Sequence, residues 1–155
     1  MLLADKRQGP LLTKPYMNTL QNRFLAVGGF FGFSAVIIGA MGAHFLKDKL
    51  SPEELVRIET GVRYQMYHAI ALTGLAFSYG RIRNSILTWV FYLFTTGVVC
   101  FSFSLYALIV LGVFSINVPS IIHLITPLGG VLLTGGWMIL SIYGLRRIYV
   151  RKKEE

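Results

Sequence analysis

The sequence predicts an all-α integral membrane protein, a four-helix bundle with an amphipathic interfacial helix before the second span. Three observations lead there. Of 155 residues, 54% are hydrophobic and 14% are charged, against about 25% charged in soluble domains. The charges leave long empty windows: 23 residues between Arg23 and Lys47, 17 between Arg63 and Arg81, and 62 between Arg83 and Arg146. The ten-residue alternating segments of a membrane barrel are missing, so helices, which satisfy their own backbone groups, are the form that lipid allows. The composition also excludes a secreted disulfide scaffold, a disordered chain and an ordinary soluble enzyme, since Cys100 is the only cysteine and the apolar runs are too long.

The elements follow in order. Residues 1–22, with Pro10 and Pro15 among mixed polar residues, read as an N-terminal arm. A cleaved signal peptide fits poorly, because the apolar run starts late and exceeds the usual span of about 7–15 residues. The membrane domain is 23–145, with spans at about 24–46, 64–80, 85–111 and 121–144. The first, at 1.5 Å per residue, crosses a ~30 Å hydrocarbon core. Before the second, Ser51 is a helix cap, Pro52 the first helical residue and Glu54 the closing member of a capping box. Leu55, Val56, Ile58 and Val62 then alternate with Glu53, Arg57, Glu59 and Arg63, as on an interfacial helix. That helix runs into the second span, with Gly61 as the place for a bend. The 62-residue window must turn, and GVFSINVPS, residues 112–120, is the cluster able to turn it. Residues 146–155 form a basic tail.

Four spans put both termini on one side. That side carries eleven of the fifteen basic residues; Lys47, Lys49, Arg57 and Arg63 lie opposite, offset by Asp48, Glu53, Glu54 and Glu59. Positive charge concentrates on the cytoplasmic face, so both termini are expected there. The tails carry no aromatic-interleaved basic patch, and no nucleic-acid partner is expected.

Small residues recur at helix-packing intervals. Gly28, Gly32, Ala35, Gly39 and Gly42 share one face of the first span; Thr96, Cys100, Ser104 and Ala107 share one of the third; Thr126, Gly130 and Thr134 share one of the fourth. Small side chains let membrane helices approach closely. These seams suit packing within the bundle, and also self-association or docking of another membrane subunit.

All three histidines fall on the expected outer side. His44 ends the first span, His68 is early in the second and His123 begins the fourth, while Glu59, Arg63, Tyr64 and Tyr67 lie on adjoining turns beside His68. Polar residues at membrane depth point to a ligand site, so Glu59 and Arg63 are expected to face the bundle rather than bulk water. The same residues equally suit interfacial clamping, where aromatic and histidine side chains meet headgroups and water. Three single histidines on separate helices lack metal-ligand spacing, so neither metal nor other cofactor is expected. No nucleotide-binding, hydrolase or metalloprotease motif occurs, and Cys100 reads as a packing residue.

Four segments, GAMGAH (39–44), ETGVRYQMYHAIAL (59–72), FSFSLYAL (101–108) and ITPLGGVLLTGGW (125–137), resemble the YgdD/YwdK-like membrane proteins. This is a domain-of-unknown-function 423 family that includes the animal transmembrane protein 256 type. The resemblance spans residues 24–144 and implies four membrane helices without an established activity. Its pattern takes in His44, Glu59, Arg63, Tyr64, Gln65, Tyr67, His68, Ser102, Ser104, Leu105, Tyr106, Thr126, Pro127, Gly129 and Gly130. The longer N-terminal arm, the RKKEE tail and Phe103, where a small residue is expected, depart from it. The expected role is a structural or accessory component of a membrane complex, in a bacterial cell membrane or a mitochondrial one. The alternative is a small transporter or binder of a lipid- or quinone-sized ligand, though no inverted repeat accompanies the spans.

Overall fold

The computed structural model describes residues 18–117 and 119–154. The expected arm therefore lies outside the described residues up to position 17. The elements are α1 (Thr19–Ala40), α2 (Pro52–Ala76), α3 (Asn84–Val98), α4 (Ser104–Val113) and α5 (Ser120–Glu154). A π-helical turn, Met41–Phe45, extends α1, and a second, Val99–Phe103, joins α3 to α4 in one continuous rod. The chain is all-α, with four long helical rods.

Helix α1 begins inside the segment read as an arm, because Asn18 caps it and Gln21 returns a bond to the Asn18 N–H. Its last turn loosens, with the Leu46 N–H bonding to the Met41 carbonyl five residues back. Helix α2 starts on the Ser51–Pro52–Glu54 signal. It continues without interruption through Gly61, so the amphipathic segment and the second span are one helix. Helix α5 runs through the basic tail to Glu154.

Among the described residues three rods are long and apolar enough to cross a membrane: Thr19–Phe45, Asn84–Val113 and Ser120–Lys152. Helix α2 is not among them, since five charges occupy its first half. It runs antiparallel against α1, with Gly28 against Ala69 and Thr73, Gly39 against Val62 and Gly42 against Ile58. Arg63 is therefore level with the Gly39 turn, roughly 9 Å short of the end of the first rod at 1.5 Å per residue.

The α1–α2 pair and the α3–α5 pair form the two main interfaces, joined where α2 meets α3, α4 and the second π turn. The central cluster includes Phe24, Phe31, Leu72, Leu87, Val90, Phe94 and Leu133. Phe24 and Phe91 meet edge to face at 5.2 Å, an arrangement worth about 0.5–1.5 kcal/mol beyond area burial.

The glycines show where backbones approach. A Cβ on Gly28 would stand 2.6 Å from the Thr73 hydroxyl, and one on Gly42 would stand 2.9 Å from Ile58. Gly32 and Gly39 leave more room, at 3.8 Å from Ala69 and 3.3 Å from Val62, and Ala35 is fully buried. On α5 the tight positions are Gly129, where a Cβ would run into the Phe101 backbone, and Gly136, where it would run into the Phe94 ring. Gly130, expected at this seam, meets only the Phe101 ring at 3.8 Å. The seam expected on the third span is also displaced. Thr96 is exposed and bonds its own Tyr92 carbonyl, while Gly97 faces Leu133. The face that packs on α5 runs through Phe94, Gly97, Phe101 and Ser104 at intervals of three, four and three, against Gly136, Leu133, Gly129 and Thr126, so Thr96 and Cys100 fall one residue off it.

Candidate functional site

The buried face of α2 carries Ile58, Gly61, Gln65, His68, Ala69, Leu72 and Ala76. Two of these are polar, and both lie at the centre of the bundle. Gln65 has no exposed surface. Its amide nitrogen donates to the Phe31 carbonyl at 2.8 Å and to Ser34 Oγ at 2.7 Å. Its carbonyl accepts from Tyr106 Oη at 3.0 Å. One side chain thus ties α1, α2 and α4 together. Gly61 supplies the space, since the Tyr106 ring occupies the position a Cβ would take there.

His68 is held as completely. Trp137 Nε1–H donates to His68 Nε2 at 3.1 Å, and His68 Nδ1 lies 2.8 Å from the Tyr64 carbonyl. An indole nitrogen only donates, so Nε2 is the bare nitrogen and Nδ1 carries the proton given to Tyr64. The ring is walled by Phe94, edge-on at 4.9 Å, and by Trp137. A third link joins Ser104 Oγ to Thr126 Oγ1 at 2.7 Å, between α4 and α5. Thr95 Oγ1 and Ser102 Oγ are buried without hydrogen-bond partners.

The residues singled out in the sequence occupy separate environments. His68 is inside, with both ring nitrogens engaged. His44 and His123 are exposed, and the turn holding His44 packs on α1 and α2. Buried His68 therefore does not share its environment with the other two. The buried stripe of α2 sets the reason, because it drives position 68 inward and leaves the other two at rod ends. No group of three metal-ligating side chains forms among the described residues. Tyr64 and Tyr67 are exposed, 6.4 Å apart, with Tyr64 against Phe101 at 4.5 Å.

Glu59 and Arg63, expected to face the bundle, are exposed on the flank of the buried stripe. With Lys47 they line a groove of about 530 Å³ floored by Gly39, Gly42 and Ala43. Two cations and a carboxylate thus stand over small residues at the α1–α2 seam. Near its rim Glu54 accepts from the Ser51 N–H and hydroxyl, each at 2.9 Å. Those bonds, the backbone one first, hold its carboxyl below the usual value.

Gln65, Ser34, Tyr106 and Trp137 were not singled out as site residues from the sequence. A glutamine inside an otherwise apolar helical face is the signal that points to them, since a buried amide requires partners. Phe103, the residue out of pattern, fills the space between Phe31 and Tyr106 at 6.4 and 5.8 Å.

Comparison with known proteins finds no match among solved structures. The family model "Protein of unknown function (DUF423)" matches residues 38–130. The chain is 36% identical over 129 residues to a UPF0382 membrane protein of Haemophilus influenzae, covering 81% of this chain and 94% of the relative. It is 39% identical over 119 residues to one from Staphylococcus saprophyticus, with 77% and 93% covered. The UPF0382 inner membrane protein YgdD of Escherichia coli is 31% identical over 128 residues, with 82% and 93% covered. This chain belongs to the DUF423 family, the UPF0382 membrane proteins of unknown function.

Proposed function

We propose that this protein is a structural or accessory component of a bacterial inner-membrane complex, with both termini in the cytoplasm. The observation that carries the reading is the use of Gln65. All of its strong hydrogen-bonding capacity goes to α1 and α4, and His68 is likewise consumed by Trp137 and its own helix. Polar groups spent this way fix one arrangement of the rods. The outer surface then offers broad apolar faces, such as Phe30, Phe33 and Ile37 on α1, for lipid or for a partner subunit. A photo-crosslinking residue at Phe33, followed by isolation from native membranes, tests this. A discrete crosslinked protein is the expected result, and crosslinks to lipid alone would argue against a complex.

The groove lined by Lys47, Glu59 and Arg63 favours a second reading, the binding of an amphiphilic small molecule. Arg63 set roughly 9 Å below the rod end, with Glu59 and Lys47 nearer that end over a small-residue floor, suits a zwitterionic head with an apolar body. Native mass spectrometry would show such a molecule retained by the wild-type protein and lost from Arg63→Gln.

A further inference from the structure

At the opposite end of the molecule α3 and α5 enclose a second groove, of about 430 Å³. The helix register builds it. Gly129 packs on Phe101, Gly97 on Leu133 and Gly136 on Phe94, so each step back along α3 is matched by one step forward along α5. Continued to the rod ends, that register brings Arg83 level with Arg147. On α5, Ile139, Ile142, Arg146 and Arg147 fall on one face at intervals of three, four and one. The groove therefore has two halves. Its inner half is lined by Ile86, Ile139 and Ile142, and its mouth by Arg83, Arg146 and Arg147 with Val150 beyond them.

Among the described residues no carboxylate lines this groove. Asp48, Glu53, Glu54 and Glu59 all lie toward the far end of the bundle, and Glu154 is two turns beyond Arg147. Three like charges sharing one mouth repel each other unless an anion lies between them. A free phosphate would meet the arginines and leave the isoleucines unused. A phospholipid with a net negative head matches both halves, and basic pockets between membrane helices are suited to such heads. Tyr143, at the same level, adds the amphipathic ring found at headgroup depth.

We infer that this groove is a binding site for one anionic glycerophospholipid. Its phosphodiester sits between Arg83, Arg146 and Arg147, and an acyl chain lies along Ile86, Ile139 and Ile142.

The full chain, purified and stripped of lipid in mild detergent, is titrated with dioleoyl phosphatidylglycerol, dioleoyl phosphatidylcholine or glycerol 3-phosphate. Melting temperature and bound lipid by native mass spectrometry are followed together. Phosphatidylglycerol is expected to raise the melting temperature saturably, with one lipid retained per chain, while the other two additives do little. Arg83→Gln, Arg146→Gln and Arg147→Gln should each weaken the titration midpoint roughly fivefold. Ile142→Trp, which fills the apolar half, should weaken it too. Arg23→Gln, a cation outside the groove, should leave it unchanged. An equal response to phosphatidylcholine, an equal response to glycerol 3-phosphate, or an equal loss in Arg23→Gln would each overturn the site. The lipid comparison on the wild-type chain decides the matter even where a variant does not fold.

Discussion

Gln65 sits where an unpaired amide is least tolerable, at the centre of a membrane bundle with lipid beyond it. Its replacement tests the bonds directly. Gln65→Leu leaves the Tyr106 hydroxyl buried and unpaired, and should cost about 1–3 kcal/mol in thermal unfolding in detergent. Tyr106→Phe should cost roughly 0.5–1.5 kcal/mol. Combined, the two should lose less than the sum, because removing both partners leaves no orphan. Additive losses would mean that the two side chains do not share a bond. Glu54 provides a pH-dependent counterpart outside the membrane. Its folded carboxyl lies below the ordinary 4.5, so its support of the α2 start is complete above that value. The support fades as pH falls through the lower, folded value. Carbon chemical shifts of the first α2 turn should record this, and Glu54→Gln should make that turn insensitive to pH. The capping box was legible residue by residue, because its partners lie three apart. The Gln65 bonds and the His68–Trp137 bond were not, because those partners lie 31 to 69 positions away.

Helix existence was legible from the charge-free windows, since a membrane forces every backbone group in them into a helix. Helix phase was not. Small residues mark several candidate faces on the third and fourth spans, and the packed ones, through Gly97 and Phe101 and through Gly129, Leu133 and Gly136, lie one residue from those assigned. That slip separates Gly129 from Gly130. Gly129→Ala should cost about 1–3 kcal/mol, because the obstruction is the Phe101 backbone and cannot rotate away. Gly130→Ala, with its nearest neighbour at 3.8 Å, and Gly29→Ala, with open space around it, should melt close to the wild type. Equal melting of all three in detergent would place the α5 contact elsewhere. Glu59 and Arg63 slipped for a related reason. Their place on α2 follows from which neighbours bury Ile58 and Gly61, and sequence spacing alone does not name those neighbours.

For the whole molecule, the two ends are electrostatically unlike. One presents Lys47 to Arg63 with cations and carboxylates interleaved; the other presents Arg81, Arg83, Arg146 and Arg147 without acidic neighbours in sequence. With both termini cytoplasmic, Asp48→Cys in a Cys100→Ala background should react with a membrane-impermeant reagent in intact cells. Lys152→Cys should react only after lysis. The reverse pattern would invert the protein in the membrane. Either pattern also decides whether α2 crosses fully, because three crossings would place the two ends of the chain on opposite sides.

The continuation of α5 to Glu154 bears on how this small protein can be imaged. The residues from Arg146 onward carry the helix axis roughly 13 Å past the apolar stretch. A soluble helical domain spliced in phase after Glu154 would share that axis, with no swivel between the two. The rotation of the fused domain would then report the rotation of the bundle. That gives a 17.4 kDa chain a rigid external marker for particle alignment in electron cryomicroscopy, obtained without an antibody fragment.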